Sequence, residues 1–395
     1  MNNITKENKR FNRWYRLLVF FFRFYANIKP QVYARGGKLP EGGNLILANH
    51  VTKLDQFLIG MFYEDSNIQF VSGENVFKNP LFRKFAEKCL HVIIHLRGVS
   101  SFDTIHAMTK SLKAGNNVMI FPTGSMTFDG RSQKIDSSIA KLAKMSSSNL
   151  VLTKIEGAYL MQPRWGISTR KGQVRISDYI ISAADLKKMS AKEVTTAINE
   201  HLYTDAYEEQ SKNLISYKGK HLCKGLECCI YECPECREIS KFKTTDSKLF
   251  CSCGYELTFD EYGYLNDKYG SKGNIAILCT NQREHLKEKF LEARNNNSHV
   301  FLFGDDFQMN SLDHDGKRVN CGNIRVDVYT DCIEYTKNNS LSSLKYEDIE
   351  SVFVYIRNTL NINLVDSKCG YELQGDFSSN ALKYRDLFQI YKELL

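Results

Sequence analysis

Four consecutive apolar residues, Leu45-Ile46-Leu47-Ala48, run directly into Asn49-His50-Val51-Thr52-Lys53-Leu54-Asp55, after which Leu54, Phe57, Leu58, Met61 and Phe62 recur at helical spacing. The first stretch reads as a buried strand and the last as a helix, which puts His50 in a strand-to-helix turn and Asp55 in the first helical turn. An imidazole can accept a proton near neutrality, and a carboxylate beside it fixes its tautomer and stabilises the imidazolium. The backbone N–H groups and positive dipole end of the same helix would favour a nearby anion, such as a substrate phosphate. The spacing also fits a plain helix cap, with Thr52 as N-cap and Asp55 as its capping-box partner.

Asn49-His50-x-Thr52-x-x-Asp55 resembles the His-x4-Asp motif of the glycerolipid acyltransferases, the lysophospholipid (1-acylglycerol-3-phosphate) acyltransferase family, with Thr52 in the place of the usual serine. Further segments match that family in the right order. Val92-Ile93-Ile94-His95-Leu96-Arg97-Gly98 is similar to its second motif, a strand ending in an acceptor-binding arginine. Val118-Met119-Ile120-Phe121-Pro122-Thr123-Gly124-Ser125 is similar to the third, a strand entering a Phe-Pro-Glu-Gly loop that holds glycerol phosphate. Val151 to Tyr159, followed by Pro163-Arg164-Trp165, occupies the place of the fourth. The resemblance implies that His50 is the general base, that Asp55 orients it, and that Asn49, Thr52, Arg97, Thr123, Gly124 and Ser125 face the substrate, with Arg131 added as a candidate from outside the motifs. It implies an acyl donor, acyl-CoA or acyl-carrier protein, and no catalytic metal.

The third motif departs from the family pattern. Thr123 stands where a Glu is usual, and Met126 where an Arg is usual. Losing a guanidinium removes a bidentate contact of the kind that holds phosphate. Either Arg131, next to Ser132, or Arg164 supplies the charge from a rearranged loop, or the domain binds lipid without turning it over.

At 395 residues, 43% hydrophobic, the chain is long enough for two or three domains with real cores, and its net charge of +8 favours anionic partners. Near the N-terminus, Phe11, Trp14, Tyr15, Leu18, Phe21, Phe22 and Tyr25 fall on one helical face and Arg13, Arg16 and Arg23 cluster opposite. That pattern describes a helix lying among lipid headgroups. Its apolar run is too short to span a bilayer, and Arg23 interrupts it in a way that does not suit a signal peptide. A cytoplasmic protein held peripherally on the cytoplasmic face of a membrane is expected. A helix packed on the domain's own core is the competing reading.

Of twelve cysteines, Cys233-Pro234-Glu235-Cys236 and Cys251-Ser252-Cys253-Gly254 stand out. Two such knuckles suggest a zinc ribbon, four thiolates closing a structural site. The second has one residue between its cysteines where two are usual, so Cys228 or Cys229 is a substitute ligand. Asn266 to Gly273 reads as a linker and about Arg283 to Ala293 as a helix. Short strands then follow at Val300–Phe303, Ile324–Val328, Cys332–Tyr335, Ser351–Tyr355 and Leu360–Leu364, with a last helix from about Ala381. Strands closed by one helix loosely resemble the pleckstrin-homology-like barrel.

The expected fold is therefore an α/β acyltransferase domain, a central sheet flanked by helices, followed by a zinc ribbon and a β-rich C-terminal domain. The boundaries are 1–29 for the amphipathic segment, 30–215 for the acyltransferase domain, 228–265 for the ribbon and 297–395 for the β-rich domain. The expected reaction is transfer of a fatty acyl group to the hydroxyl of a glycerol phosphate or lysophospholipid. Its partners are membrane lipids, an acyl donor and a structural zinc. Nucleic acid is disfavoured, because no run of Lys and Arg interleaved with aromatics flanks the cysteines.

Overall fold

The structure, a computed structural model, describes residues 13–21, 31–34, 37–64, 66–77, 79–95, 101–239, 242–296, 299–312, 318–337, 340–365 and 370–395. It divides into two units, one of residues up to Arg164 together with Thr169–Lys218, the other of Trp165–Ser168 together with Gly219–Leu395.

The first unit is built on a seven-stranded sheet. Its strands are β1 (Gln31–Ala34), β2 (Asn44–Ala48), β3 (Ile68–Gly73), β4 (Ile93–His95), β5 (Asn117–Ile120), β6 (Asn149–Glu156) and β7 (Gln173–Ile181), in the spatial order β1-β7-β6-β2-β5-β3-β4. All neighbours are parallel except β6 and β7, which run antiparallel. Every residue of β2 is buried. That is what a strand in the middle of a parallel sheet requires, since helices cover both of its faces, and it is why Leu45 to Ala48 show no polar alternation. One face is packed by Met108 and Leu112 of helix Ser101–Lys113, Ala140 and Ala143 of helix Ser137–Ser146, and Val194, Ile198 and Leu202 of helix Ala191–Leu202, gathered around Leu45, Leu47, Val118, Leu150 and Leu152.

Residues 13–21 are helical. Tyr15 is buried, its hydroxyl donating to the carbonyl of Gly60 at 3.4 Å, and Trp14 meets Phe85 edge-on at 5.3 Å. Part of the aromatic stripe therefore serves the domain's own packing, while Arg13, Arg16, Leu17, Phe20 and Phe21 are exposed. Phe11, Phe22, Arg23 and Tyr25 lie outside the described residues, as does Arg97. Among the described residues no helix is long and apolar enough to cross a membrane.

The second unit begins with an antiparallel five-stranded sheet of β8 (Phe242–Thr244), β9 (Lys248–Cys251), β10 (Glu256–Phe259), β11 (Tyr264–Asp267) and β12 (Gly270–Asn274). The stretch expected as a linker is thus the β11–β12 hairpin. Asp267 accepts the N–H of Tyr269, and Gly270 turns the chain at φ 123°. The helix expected from Arg283 begins earlier and runs Ile275–Asn296. Its buried seam includes Gln282, which accepts from the N–H of Tyr231 and donates to the carbonyl of Cys229, so a polar residue interrupts the apolar periodicity.

A second seven-stranded sheet follows, antiparallel throughout, in the order β16-β15-β14-β13-β19-β18-β17. Its strands are β13 (Phe301–Leu312), β14 (Arg318–Tyr329), β15 (Cys332–Lys337), β16 (Ser340–Lys345), β17 (Ile349–Tyr355), β18 (Thr359–Leu364) and β19 (Gly370–Gln374), and helix Leu382–Glu393 closes the unit. This is the expected β-rich C-terminal region, with two strands that sequence reading did not find. β16 is a mostly exposed edge strand of three serines, two leucines and one lysine, and β19 opens on a glycine.

Leu47 is fully buried in the strand that leads to His50. Leu47→Ala leaves a cavity there and is expected to lower the stability of the first unit by about 2–5 kcal/mol in a denaturant titration.

Candidate active site

β2 and β5 are parallel neighbours with Leu47 opposite Ile120. The chain leaving β2 as Asn49-His50 and the chain leaving β5 as Phe121-Pro122 therefore emerge side by side at the carboxyl-terminal edge of the sheet, the usual place for a site in an open α/β sheet. The His50 ring stacks on Phe121, centroids 4.0 Å apart and planes 12° apart. The N–H of Thr127 donates to the His50 carbonyl at 3.1 Å, which ties the loop after β5 to the turn after β2.

His50 Nδ1 is 2.7 Å from Asp55 Oδ2. The same oxygen accepts the N–H of Val51 at 2.7 Å and of Thr52 at 3.0 Å. The cap-like bond from Thr52 and the bond from His50 thus coexist on one atom. Helix Asp55–Phe62 starts one residue after Leu54, whose N–H is taken up by the Thr52 hydroxyl at 3.3 Å. Asp55 is completely buried, and its other oxygen, Oδ1, has no hydrogen-bond partner among the described residues. Burial pushes its carboxyl above the usual carboxylate range, against the opposing pull of His50 and of the Thr52 and Val51 N–H groups.

With Asp55 accepting from Nδ1, the proton of a neutral His50 sits on Nδ1. Nε2 is then the nitrogen that carries a lone pair for a substrate. His50 is 17% exposed and lines a small, partly open cavity. Asn49, Thr123 and Ser125, which the sequence puts forward, line it too.

The other lining residues, Thr127, Ser132, Gln133, Ile135 and Leu202, escaped sequence reading, as did the Phe121 stack. They come from the segment after the third motif and from the end of helix Ala191–Leu202, which share no motif with His50. The signal that could have found Phe121 is positional: it is the first residue past a strand that parallels β2.

The remaining expected residues hold the walls. Asn49 accepts from the N–H of Ile155 and donates to its carbonyl, both at 2.8 Å, and also donates to Thr204, whose hydroxyl contacts that of Ser132 at 2.8 Å. The Thr52 hydroxyl donates to Gln162 Oε1 at 3.0 Å. Gly124 closes the turn begun at Phe121 with φ +66°, and the Thr123 hydroxyl donates to the Ser125 carbonyl at 3.1 Å.

Of the two guanidiniums that could replace the missing one, Arg131 pairs with Asp129 through Nε at 2.8 Å and Nη2 at 2.5 Å. Arg164 is buried beneath the same loop, donating to the Met126 carbonyl at 2.7 Å with its guanidinium 4.0 Å from the centre of the Phe128 ring.

The second unit gathers Cys233, Cys236, Cys251 and Cys253, their sulfurs all within 4.8 Å of one another. Cys233 and Cys253 are 3.8 Å apart, and Cys236 and Cys251 3.7 Å. Four thiolates about 2.3 Å from one tetrahedral ion stand about 3.8 Å apart, so the cluster fits a structural metal. Cys228 and Cys229 are engaged elsewhere, with the Phe377 carbonyl and the Cys279 sulfur.

Residues 30–167 match the family described as Acyltransferase. No curated protein matches the chain. Among solved structures, the 1-acyl-sn-glycerophosphate (LPA) acyltransferase PlsC from Thermotoga maritima is similar at 17% identity over 48% of this chain and 78% of its own, with a TM-score of 0.39. The Inner Membrane Complex Sub-compartment Protein 3 from Toxoplasma gondii matches at 14% identity over 28% of this chain and 88% of its own, TM-score 0.19. The C-terminal domain of an unknown protein from Leishmania infantum matches at 12% identity over 28% of this chain and 93% of its own, TM-score 0.16.

The bond to Asp55 makes a specific demand on the His50 tautomer. In nitrogen-15 spectra neutral His50 is expected to carry its proton on Nδ1, and Asp55→Asn is expected to remove that bias. The same variant tests the buried carboxyl. A carboxyl raised by folding costs stability as pH climbs out of the ordinary carboxylate range, because the unfolded chain releases its proton first. Asp55→Asn is expected to remove that downward slope, read by denaturation at acid and neutral pH.

Proposed function

With residues 30–167 an acyltransferase-family domain as the premise, we propose that this protein moves a fatty acyl group from a thioester, acyl-CoA or acyl-carrier protein, to the hydroxyl of a glycerol phosphate or lysophospholipid. The observation that carries the reading is the 2.7 Å bond between His50 Nδ1 and Asp55 Oδ2 at the wall of a hydroxyl-lined cavity. His50 Nε2 takes the proton of the acceptor hydroxyl as its oxygen attacks the thioester carbonyl. The resulting imidazolium is stabilised by Asp55 and returns the proton to the departing thiolate as the carbon–sulfur bond breaks. The nucleophile is the substrate's own alcohol, so the protein forms no covalent intermediate.

Phe121 holds the imidazole plane, and the Thr123-Gly124-Ser125 turn orients the acceptor. Arg97 is assigned to the acceptor headgroup by its place in the second motif, with Arg131 beside it in role. Thr52 acts from behind the surface through Gln162, while Asn49 lines the cavity and keeps the turn fixed against Ile155.

The domain organisation completes the reading. Residues 1–29 meet the membrane, 30–215 carry the reaction, 228–265 form a zinc ribbon and 297–395 a pleckstrin-homology-like domain. Exposed Phe20, Phe21 and Leu17 with Arg13 and Arg16 on residues 13–21, and exposed Leu81 and Phe82 on helix Pro80–Cys89, support an interfacial attachment to the cytoplasmic face of a membrane. The four clustered cysteines would hold the zinc, which supplies folding energy to a segment with little core of its own.

Purified protein incubated with lysophospholipids and labelled acyl donors is expected to form acylated product, and His50→Ala to slow that transfer by at least about 100-fold. Equal rates in the two proteins would remove the enzymatic reading and leave a lipid-binding one. Separately, Cys236→Ser is expected to release one equivalent of zinc and lower the thermal midpoint without touching the His50–Asp55 bond.

A further inference from the structure

Away from the catalytic unit and the four-cysteine cluster, the start of β13 and the start of β15 bring three different ligating side chains together. The ligand atoms of His299, Cys332 and Glu334 all lie within 4.8 Å of one another. From this arrangement we propose a second metal site, one that takes zinc or a similar late first-row divalent cation through His299 Nε2, Cys332 Sγ and a Glu334 carboxylate oxygen. It is independent of the acyl-transfer reading.

The positions follow from the sheet. Cys332 and Glu334 are alternate residues of β15, so their side chains share a face. β15 is locked against β14 with Ile333 opposite Val328 and Glu334 opposite Asp327. His299 sits just ahead of β13. The next residue, Val300, donates its N–H to the Thr330 hydroxyl at 3.0 Å, and its carbonyl accepts from the Thr330 N–H at 3.1 Å. The three side chains therefore project from paired backbone on both sides of the site, the rigidity that a preorganised metal site needs.

The histidine is held as a ligand histidine would be. Its Nδ1 is 2.9 Å from Asp331 Oδ1, and its ring stacks on Tyr329 with centroids 4.1 Å apart and planes 8° apart. A carboxylate on one ring nitrogen fixes the tautomer and raises the basicity of the other, the arrangement found behind metal-bound imidazoles. That other nitrogen, Nε2, is 3.9 Å from Glu334 Oε1, close to the spacing of two ligands on one tetrahedral ion.

The donor set selects the metal class. A thiolate, an imidazole and a carboxylate suit zinc and its late first-row neighbours, whereas magnesium and calcium want oxygen alone. On binding, the Cys332 thiol gives its proton to solvent. Cys332 is buried at the floor and His299 is about half exposed at the rim, so the cation enters from the His299 side. Three protein ligands leave a fourth position for water.

The test uses the full chain equilibrated with zinc and dialysed, with metal counted per chain. Wild type is expected to hold one equivalent more than His299→Ala, and Glu334→Gln to weaken that same equivalent at least 10-fold in a competition titration with a chromogenic chelator. Cobalt added in place of zinc is expected to give a thiolate-to-metal absorption that His299→Ala diminishes. Because His299 is exposed and Glu334→Gln keeps the size of a partly buried side chain, circular dichroism of both variants is expected to match wild type, which separates lost ligands from lost folding. The count is a difference between proteins, so it holds whether or not the four-cysteine cluster is filled, and Cys236→Ser is expected to leave it unchanged. Equal zinc content and equal affinity in wild type, His299→Ala and Glu334→Gln would overturn the site.

Discussion

A single carboxylate oxygen organises the turn between β2 and helix Asp55–Phe62. Asp55 Oδ2 receives the imidazole of His50 and the N–H groups of Val51 and Thr52, so the bonds that shape the backbone between strand and helix also orient the ring. Moving Asp55 would unmake both. The arrangement depends on burial: in a solvated turn water would compete for that oxygen, whereas here the carboxyl is sealed and its free-energy cost is offset only by these donors.

Parallel pairing carries this local device to the rest of the site. Because β2 lies between β5 and β6, the turns after all three strands share one edge of the sheet. Phe121, just past β5, faces the ring of His50, and Asn49, just past β2, binds the backbone of Ile155 in β6. Three segments that are far apart in the chain are thereby fixed with respect to each other by backbone hydrogen bonds, a stiffer reference than side-chain packing alone.

The parts of this structure that could be read in advance are those encoded within a few residues. His50, Asp55 and the strand before them are contiguous, and their pattern is local. Thr127, Ser132, Gln133, Ile135 and Leu202 are not, since they reach the cavity through tertiary packing that no short window contains. In the second unit the same division holds. Cys233, Cys236, Cys251 and Cys253 announce themselves by spacing, but the β11–β12 hairpin hides in a polar, glycine-bearing stretch because a hairpin needs turn chemistry more than apolar residues. β16 is hard to read for a related reason: a mostly exposed edge strand has little face to bury, and its three serines and one lysine suit that position. The early turns of helix Ile275–Asn296 were masked by Gln282, a residue whose burial is intelligible only once Tyr231 and Cys229 are seen to satisfy it.

The departures in the third motif acquire a physical meaning in this setting. Where the family pattern has an arginine, Met126 offers its carbonyl to Arg164, and that guanidinium lies on the Phe128 ring, buried, on a short loop whose next residue, Thr127, bonds to His50. Arg131, the other nearby guanidinium, is already neutralised by Asp129. Among the described residues the cavity wall itself is made of hydroxyls, amides and two aliphatic side chains, with His50 as the titratable group. A wall of that kind offers a ligand neutral hydrogen bonds, with no guanidinium or ammonium among its described lining residues. The His50–Asp55–Phe121 arrangement and the nearby guanidiniums are therefore held by different contacts in this chain.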